Sequence, residues 1–232
     1  MREHLPDETR IHYVITEGGK APNVVPDYAE VYYYVRHSNG AKLEPVWQRV
    51  LAAAAGAAQG TGTSLEVEVM HGNHSVLPNT RLTTLMHKSL SQVGGVQYDE
   101  QELAFAEKIA ATFDKNLLGQ EARVMPMETR AGKGSTDVGD VSWVVPTVGL
   151  RTATWVPGTS AHSWQAIAAG GTSIGAKGML VAAKTLSLTA MALFSDPDII
   201  KAAKDEFAKR RGEDFQYKAL LGDREPPLDY RL

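Results

Sequence analysis

The sequence contains no cysteine. Disulfides are excluded, and any metal site must draw on histidine and carboxylate rather than thiolate. Charge of one sign is also scarce: 24 lysines and arginines stand against 27 aspartates and glutamates, a formal net charge of -3. That balance gives no electrostatic basis for binding a nucleic-acid backbone. Long hydrophobic runs are missing as well. The most apolar stretch, Met179 to Phe194, is interrupted by Lys184 and falls short of the ~20 residues that cross a bilayer. Met1 to Arg10 is polar and charged, without a signal pattern. The expectation is a cytoplasmic protein with no nucleic-acid or membrane partner. Internal repeats and low-complexity tracts are absent too. What is present is an ordinary globular composition, long enough at 232 residues for one large domain or two small ones.

The first third alternates. Ile11, Tyr13 and Ile15 share one side of a short run, and Gly18-Gly19 ends it. After a loop bracketed by Pro22 and Pro26, which holds Asn23, Tyr28 to Arg36 alternates again. Ala29, Val31, Tyr33 and Val35 lie on one face; Tyr28, Glu30, Tyr32, Tyr34 and Arg36 lie on the other. This predicts two strands of an antiparallel sheet with one face packed and one partly wet. Pro45 is expected in the first turn of a helix, where its missing N–H is harmless. Val46, Val50, Ala53, Ala54 and Ala57 continue that helix to Gly60 and Gly62. Ser64 to Met70 returns to period two and predicts another strand. The order strand, strand, helix, strand suggests a small α+β sandwich over residues 1–78, ending at Leu77-Pro78-Asn79.

Residues 79–232 read differently. Leu82 to Leu90, Glu100 to Phe113, about Ser173 to Phe194, and a segment from Asp196-Pro197 to near Arg211 have helical spacing. Val141 to Val145 and Val148 to Trp155 have the character of strands, and Ala131 to Thr136 that of a glycine- and hydroxyl-rich loop. The tail from Asp214, with Pro226-Pro227, reads as extended. This is an α/β pattern, but with too few strands to cover the apolar faces of four helices.

Candidate chemistry is sparse. His71 and His74 are the only local histidine pair, but they follow an expected strand and flank Gly72-Asn73, so their rings need not converge. His162 lies in Pro157-Gly158-Thr159-Ser160-Ala161-His162-Ser163, beyond an expected strand end, where α/β folds place their sites. Gly134-Ser135-Thr136-Asp137 reads as a helix cap. The glycines from Gly171 to Gly178 fit neither the Walker pattern nor the dinucleotide fingerprint. On spacing alone, Asn23 is a turn residue and Arg36 a solvated strand arginine.

Several stretches taken together are more specific. Lys20-Ala21-Pro22-Asn23-Val24-Val25-Pro26 with the tyrosine-rich strand to Arg36 resembles the lid, or dimerisation, domain of zinc-dependent amidohydrolases and metallopeptidases of the aminoacylase and carboxypeptidase type. Gly134 to Ser142, Thr159 to Gln165 and Ile174 to Met179 resemble their carboxy-terminal catalytic segments. The resemblance runs furthest toward the hydrolases of p-aminobenzoyl-glutamate. It implies an incomplete α+β lid on the carboxy-terminal part of an α/β zinc-exopeptidase-type domain, with the earlier catalytic half and its general base outside this sequence. It implies a divalent metal, zinc or manganese, with His162 at the position of a late ligand. Asn23 and Arg36 match lid residues that reach across a dimer to hold substrate, although His37-Ser38-Asn39-Gly40 departs from the usual continuation. Asp137 matches a position near the site without a direct role. The implied activity is cleavage of an N-acyl amino acid amide by a homodimer, or by a heterodimer with a related subunit. A non-catalytic dimerisation module is the alternative.

Overall fold

The hairpin forms as its alternation predicts. Strand β1 (Arg10–Glu17) pairs antiparallel with β2 (Glu30–Arg36), in register from Arg10↔Arg36 to Ile15↔Val31, with an irregularity between Ile15 and Glu17. It is the one sheet among the described residues, which are 2–127, 132, 134–222, 225 and 228 of this computed structural model. The other elements are helices: α1 (Gly40–Thr61), α2 (Thr80–Val93), α3 (Glu100–Ala110), α4 (Val138–Ser142), α5 (Trp164–Gly170), α6 (Ser173–Ser195) and α7 (Pro197–Arg211). The chain divides into two compact units. One holds the described residues of Met1–Val76, Arg130–Asp140 and Tyr217–Leu232; the other holds those of Leu77–Thr129 and Val141–Gln216.

In the first unit α1 lies against β2. Asn39 caps it, its side chain accepting from the Lys42 N–H at 3.3 Å. The helix therefore begins more than a turn earlier than expected, and Pro45 sits inside it, where it has no N–H for the carbonyl one turn back. Gly62, left-handed at φ 68°, ends the helix, and the Thr63 N–H returns to the Ala58 carbonyl at 3.0 Å. His37 joins the exit of β2 to the amino-terminal segment. Its Nδ1 accepts from the Asn39 N–H at 2.9 Å, so Nε2 carries the proton and donates to the Asp7 carbonyl at 3.0 Å. Elsewhere in this unit Asp140 accepts from the His74 N–H and from the Tyr217 hydroxyl, at 3.2 and 3.1 Å. Gly139 is pressed so close to the His74 carbonyl that a β-carbon has no room.

The core of the second unit is Ala106, Ile109 and Ala110 of α3 with Val156, Ala169 of α5 and Ile174 of α6. Two carboxylates set how its helices begin. Glu102 closes a capping box with Asp99 at the start of α3 and also takes the Lys177 ammonium of α6 at 2.5 Å. Glu206 of α7 accepts the Thr80 and Arg81 N–H groups at the start of α2, both at 2.9 Å, and the Arg210 guanidinium at 2.8 Å. A negative group suits a helix amino terminus, where N–H groups lack intrahelical partners. Asn79, almost fully buried, caps α2 through its oxygen and donates from its nitrogen to the Ala203 carbonyl at 2.9 Å.

Three expected strands do not form. Ser64 to Met70 keeps its alternation but makes no ladder, and Leu65 and Val67 are exposed; a strand needs a partner edge, and the hairpin takes no third strand among the described residues. Val141 to Val145 joins the end of α4, with the Val144 and Val145 N–H groups both returning to the Val141 carbonyl at 3.0 Å. A short apolar run does not by itself distinguish helix from strand. Val148 to Trp155 has no regular secondary structure. The hairpin also lacks the packed face expected of it, since Tyr13, Ile15, Val31 and Tyr33 are all exposed. Of the loop Ala131 to Thr136, Ala131 and Lys133 lie outside the described residues, as does most of the tail around Pro226-Pro227.

Burial alone would raise the Glu102 carboxyl, but hydrogen bonds from Lys177 and the Asp99 N–H outweigh it and hold the group at about 2. A carboxyl depressed in the folded state adds stability above its unfolded value, near 4.5, and that stability is lost as pH falls toward 2. Glu102→Gln should therefore destabilise the chain at pH 7 by roughly 1.5–3 kcal/mol. It should also flatten the acid limb between those two values, read from urea unfolding at a series of pH values.

Candidate functional site

Asn23 occupies a tight turn in the connection between β1 and β2. The Val24 N–H returns to the Ala21 carbonyl at 3.1 Å, which makes Pro22 and Asn23 the central residues of a β-turn. Pro22 presets the first central φ, and the Asn23 amide stands exposed. Arg36 ends β2 at the opposite, open end of the hairpin. At about 3.4 Å per residue the seven-residue strand separates the two by roughly 20 Å. The hairpin does not bring Asn23 and Arg36 together.

The surroundings of Arg36 are more informative than its spacing suggested. Arg10 lies directly across the ladder from it, so both guanidinium groups leave the same face. The next pair on that face is His12 opposite Tyr34, and then Val14 opposite Tyr32. The Arg36 guanidinium carbon lies 5.0 Å from the centroid of the Tyr34 ring, a cation–π distance, and the Tyr32 and Tyr34 rings meet edge to face at 5.2 Å. Like charges directly opposite in a ladder are unfavourable. Among the described residues neither arginine has a carboxylate partner. The open end is thus a cationic, aromatic patch suited to a carboxylate in bidentate fashion. Arg10, His12 and Tyr34 were not singled out as site residues, yet the hairpin alternation already places them on the face of Arg36.

His162 lies in the other unit. Its loop is pinned at both ends: the Thr159 hydroxyl donates to the Val156 carbonyl at 2.7 Å, and the Ser163 hydroxyl to the Ser160 carbonyl at 2.7 Å. Ser163 caps α5, accepting from the Ala166 N–H at 3.3 Å. Helix α5 escaped the sequence reading, although a serine just before an alanine-rich run is its signal. His162 therefore stands immediately before a helix cap, exposed, with φ 61°. Left-handed backbone is uncommon outside glycine, and such strain persists where the surroundings enforce it.

These residues do not amount to a metal centre on their own. Among the described residues no three histidine or carboxylate side chains converge, whereas catalytic zinc takes about three protein ligands. The pair His71 and His74 is not the exception. The His74 ring hydrogen-bonds the Lys218 carbonyl at 3.0 Å and packs on Tyr217, while His71 is exposed. In Gly134-Ser135-Thr136-Asp137 it is the Thr136 hydroxyl that accepts from the Val138 N–H at the start of α4, at 3.2 Å, and Asp137 is exposed.

The backbone at His162 gives a direct test. Left-handed φ costs a residue with a β-carbon about 1–2 kcal/mol, which His162 already bears, and a β-branched side chain tolerates it less well than histidine does. His162→Val should therefore destabilise the chain further, by a fraction of that amount, in chemical denaturation, whereas His162→Asn should leave its stability nearly unchanged. Equal stability of the two variants would mean that the loop does not enforce this conformation.

The profile of a peptidase dimerisation domain matches residues 1–75, the stretch that carries the hairpin and α1. The chain is 34% identical to a p-aminobenzoyl-glutamate hydrolase subunit of Escherichia coli (strain K12), over 89% of this chain and 49% of that protein. It is 27% identical to the Xaa-Arg dipeptidase of Mus musculus, over 89% of this chain and 42% of that protein, and 26% identical to that of Homo sapiens, over 92% and 43%. The chain thus spans about half the length of the curated relatives it matches. A dimerisation-domain profile over its first 75 residues, and similarity to these hydrolases along most of its length, support placing the chain with the peptidases that carry this domain.

Proposed function

We propose that the chain serves in hydrolysis of the amide bond of an N-acyl amino acid, with p-aminobenzoyl-glutamate as the preferred substrate, within a dimeric cytoplasmic amidohydrolase of zinc-exopeptidase type. The observation that carries this reading is the 34% identity to the Escherichia coli p-aminobenzoyl-glutamate hydrolase subunit across 89% of the chain. The two kinds of relative share one chemical feature: substrates named p-aminobenzoyl-glutamate and Xaa-Arg both end in an amino acid with a free α-carboxylate. A paired-arginine patch at the open end of the hairpin suits that group whichever side chain follows.

The roles divide accordingly. Arg36, backed by Arg10 and stacked on Tyr34, grips the substrate carboxylate through two parallel N–H donors. Asn23 donates its amide to the scissile carbonyl oxygen as negative charge gathers there. The two lie at opposite ends of one hairpin, so they serve different copies of the site in a dimer, or different subunits of a heterodimer. His162 supplies one ligand of a zinc or manganese set. The described residues alone do not fit such an ion, so on this reading the remaining ligands and the general base come from outside them.

A second reading, in which the chain is a non-catalytic dimerisation or interaction module, fits the described residues, among which no three metal-ligating side chains converge. One experiment separates the two. The purified chain, dialysed and analysed for metal, should hold well under one zinc per molecule and release no p-aminobenzoate from p-aminobenzoyl-glutamate. Co-expressed with the segment of the Escherichia coli protein that lies outside the matched stretch, it should gain both metal and turnover. Arg36→Ala should then lower kcat/KM about tenfold to a hundredfold, chiefly through KM, as loss of a charge-assisted hydrogen bond predicts. His162→Ala should remove metal and turnover together. Metal and turnover that never appear leave the non-catalytic reading.

A further inference from the structure

Two methionines stand one residue apart in Met125-Pro126-Met127, and both are exposed, at 59% and 47%. Methionine ordinarily fills gaps inside a core. Met86 of α2 does so here, buried against the Thr189 hydroxyl. The exposed pair has a different setting. Pro126 fixes its own φ and biases Met125 toward extended backbone. Residues two apart in extended backbone share a side, so the spacing suits both thioethers to one neighbour.

That neighbour is α2. Its Leu82, Met86 and Ser89 are buried, and Thr84 and His87 flank them, three residues apart and therefore adjacent on the helix surface. The methionine segment runs alongside. The Thr84 hydroxyl lies 4.0 Å from the Met127 sulfur, and His87 Nε2 lies 3.0 Å from the Met125 carbonyl. A carbonyl only accepts, so Nε2 carries the proton and donates, and Nδ1 carries the lone pair. Among the described residues no hydrogen bond engages Nδ1. A ring held through one nitrogen by a backbone carbonyl, with the other nitrogen unprotonated, is how proteins orient an imidazole for a metal.

We propose that Met125, Met127 and His87 form a binding site for a soft monovalent cation of the Cu(I) or Ag(I) class. Two thioether sulfurs and one neutral imidazole supply three uncharged donors. Thioethers select Cu(I), whereas hard divalent ions call for carboxylate, carbonyl and water oxygens. None of the three donors is a carboxylate. Lys88 and Arg123, close by in sequence, are both exposed, and a single positive charge meets half the repulsion from them that a divalent ion would. Methionine turns about three bonds, so exposed sulfurs reach the open nitrogen of His87 without repacking the core. The site shares no residue with the zinc or manganese position proposed at His162, and it stands whether or not the chain serves in amide hydrolysis.

The test titrates the full chain, without oxygen, with Cu(I) in competition with a chromophoric Cu(I) chelator, and separately with Ag(I). One ion should bind per chain. In protein carrying methyl-labelled methionine, the Met125 and Met127 resonances should move with Ag(I) while that of Met86 stays in place. Zn(II) at the same concentration should leave all three where they are. Met125→Leu and Met127→Leu nearly conserve volume and should each weaken Cu(I) binding at least tenfold, with the melting of the metal-free chain unchanged. His87→Gln should weaken it to a similar degree. Binding that survives in the double leucine variant would place the ion elsewhere and overturn the proposal. So would Met125 and Met127 resonances that ignore Ag(I), an equal response to Zn(II), or a chain that takes up neither soft ion.

Discussion

Burying a carboxylate between two helix starts is the constraint around which the second unit is arranged. Glu102 is 5% exposed, and ionisation there is tolerable only because the Asp99 N–H and the Lys177 ammonium both reach it. A buried ion pair contributes little net stability once desolvation is counted; what it supplies is position. It brings the first turns of α3 and α6 to one point, and from that point Ala106, Ile109 and Ile174 meet in the core. Glu206, in the second half of α7, ties that helix to the start of α2, taking two N–H groups there and the Arg210 guanidinium. Charge thus fixes where α3 and α2 begin against α6 and α7, and small apolar contacts fill the space between them.

That arrangement explains why a unit with so modest a core has defined packing and yet leaves much apolar area in water. Small residues on the inner face of α6, such as Gly175 and Gly178, allow close approach without burying much hydrocarbon, and larger side chains such as Met191 and Phe194 are left outside. The hairpin repeats the theme in the other unit, where Tyr13, Ile15, Val31 and Tyr33 are exposed. Contiguous exposed apolar surface of this kind marks places where another polypeptide fits, which is consistent with the dimerisation-domain profile that matches residues 1–75.

The legibility of the fold in the sequence followed the range of the interactions. Period-two alternation gave β1 and β2 because their partners are neighbours along the chain. Helical spacing gave α2, α3, α6 and α7 because their caps (Asn79, Asp99, Thr172 and Asp196) are local chemistry. The strands expected at Ser64 to Met70 and Val148 to Trp155 failed for the opposite reason: alternation records a preference, and only a distant edge can turn it into a ladder. Pro45 misled because Asn39 caps more strongly than proline initiates. At the candidate site, the positions of Asn23, Arg36 and His162 were readable, but the pairing of Arg10 with Arg36 needed the register, and the left-handed backbone of His162 has no sequence signal outside glycine.

Two guanidinium groups set across one ladder position have a consequence for how the open end of the hairpin behaves. Folding brings them side by side with no carboxylate among the described residues to separate them, so the hairpin keeps a local repulsion that salt screens. Whatever anion settles there relieves that repulsion as well as making its own contacts. Part of its affinity is thus stored in the fold beforehand, and by linkage the bound anion returns the same free energy as tighter closure of the last ladder pair. The end of the sheet that looks least stable in isolation is for that reason the end best prepared to recognise a carboxylate.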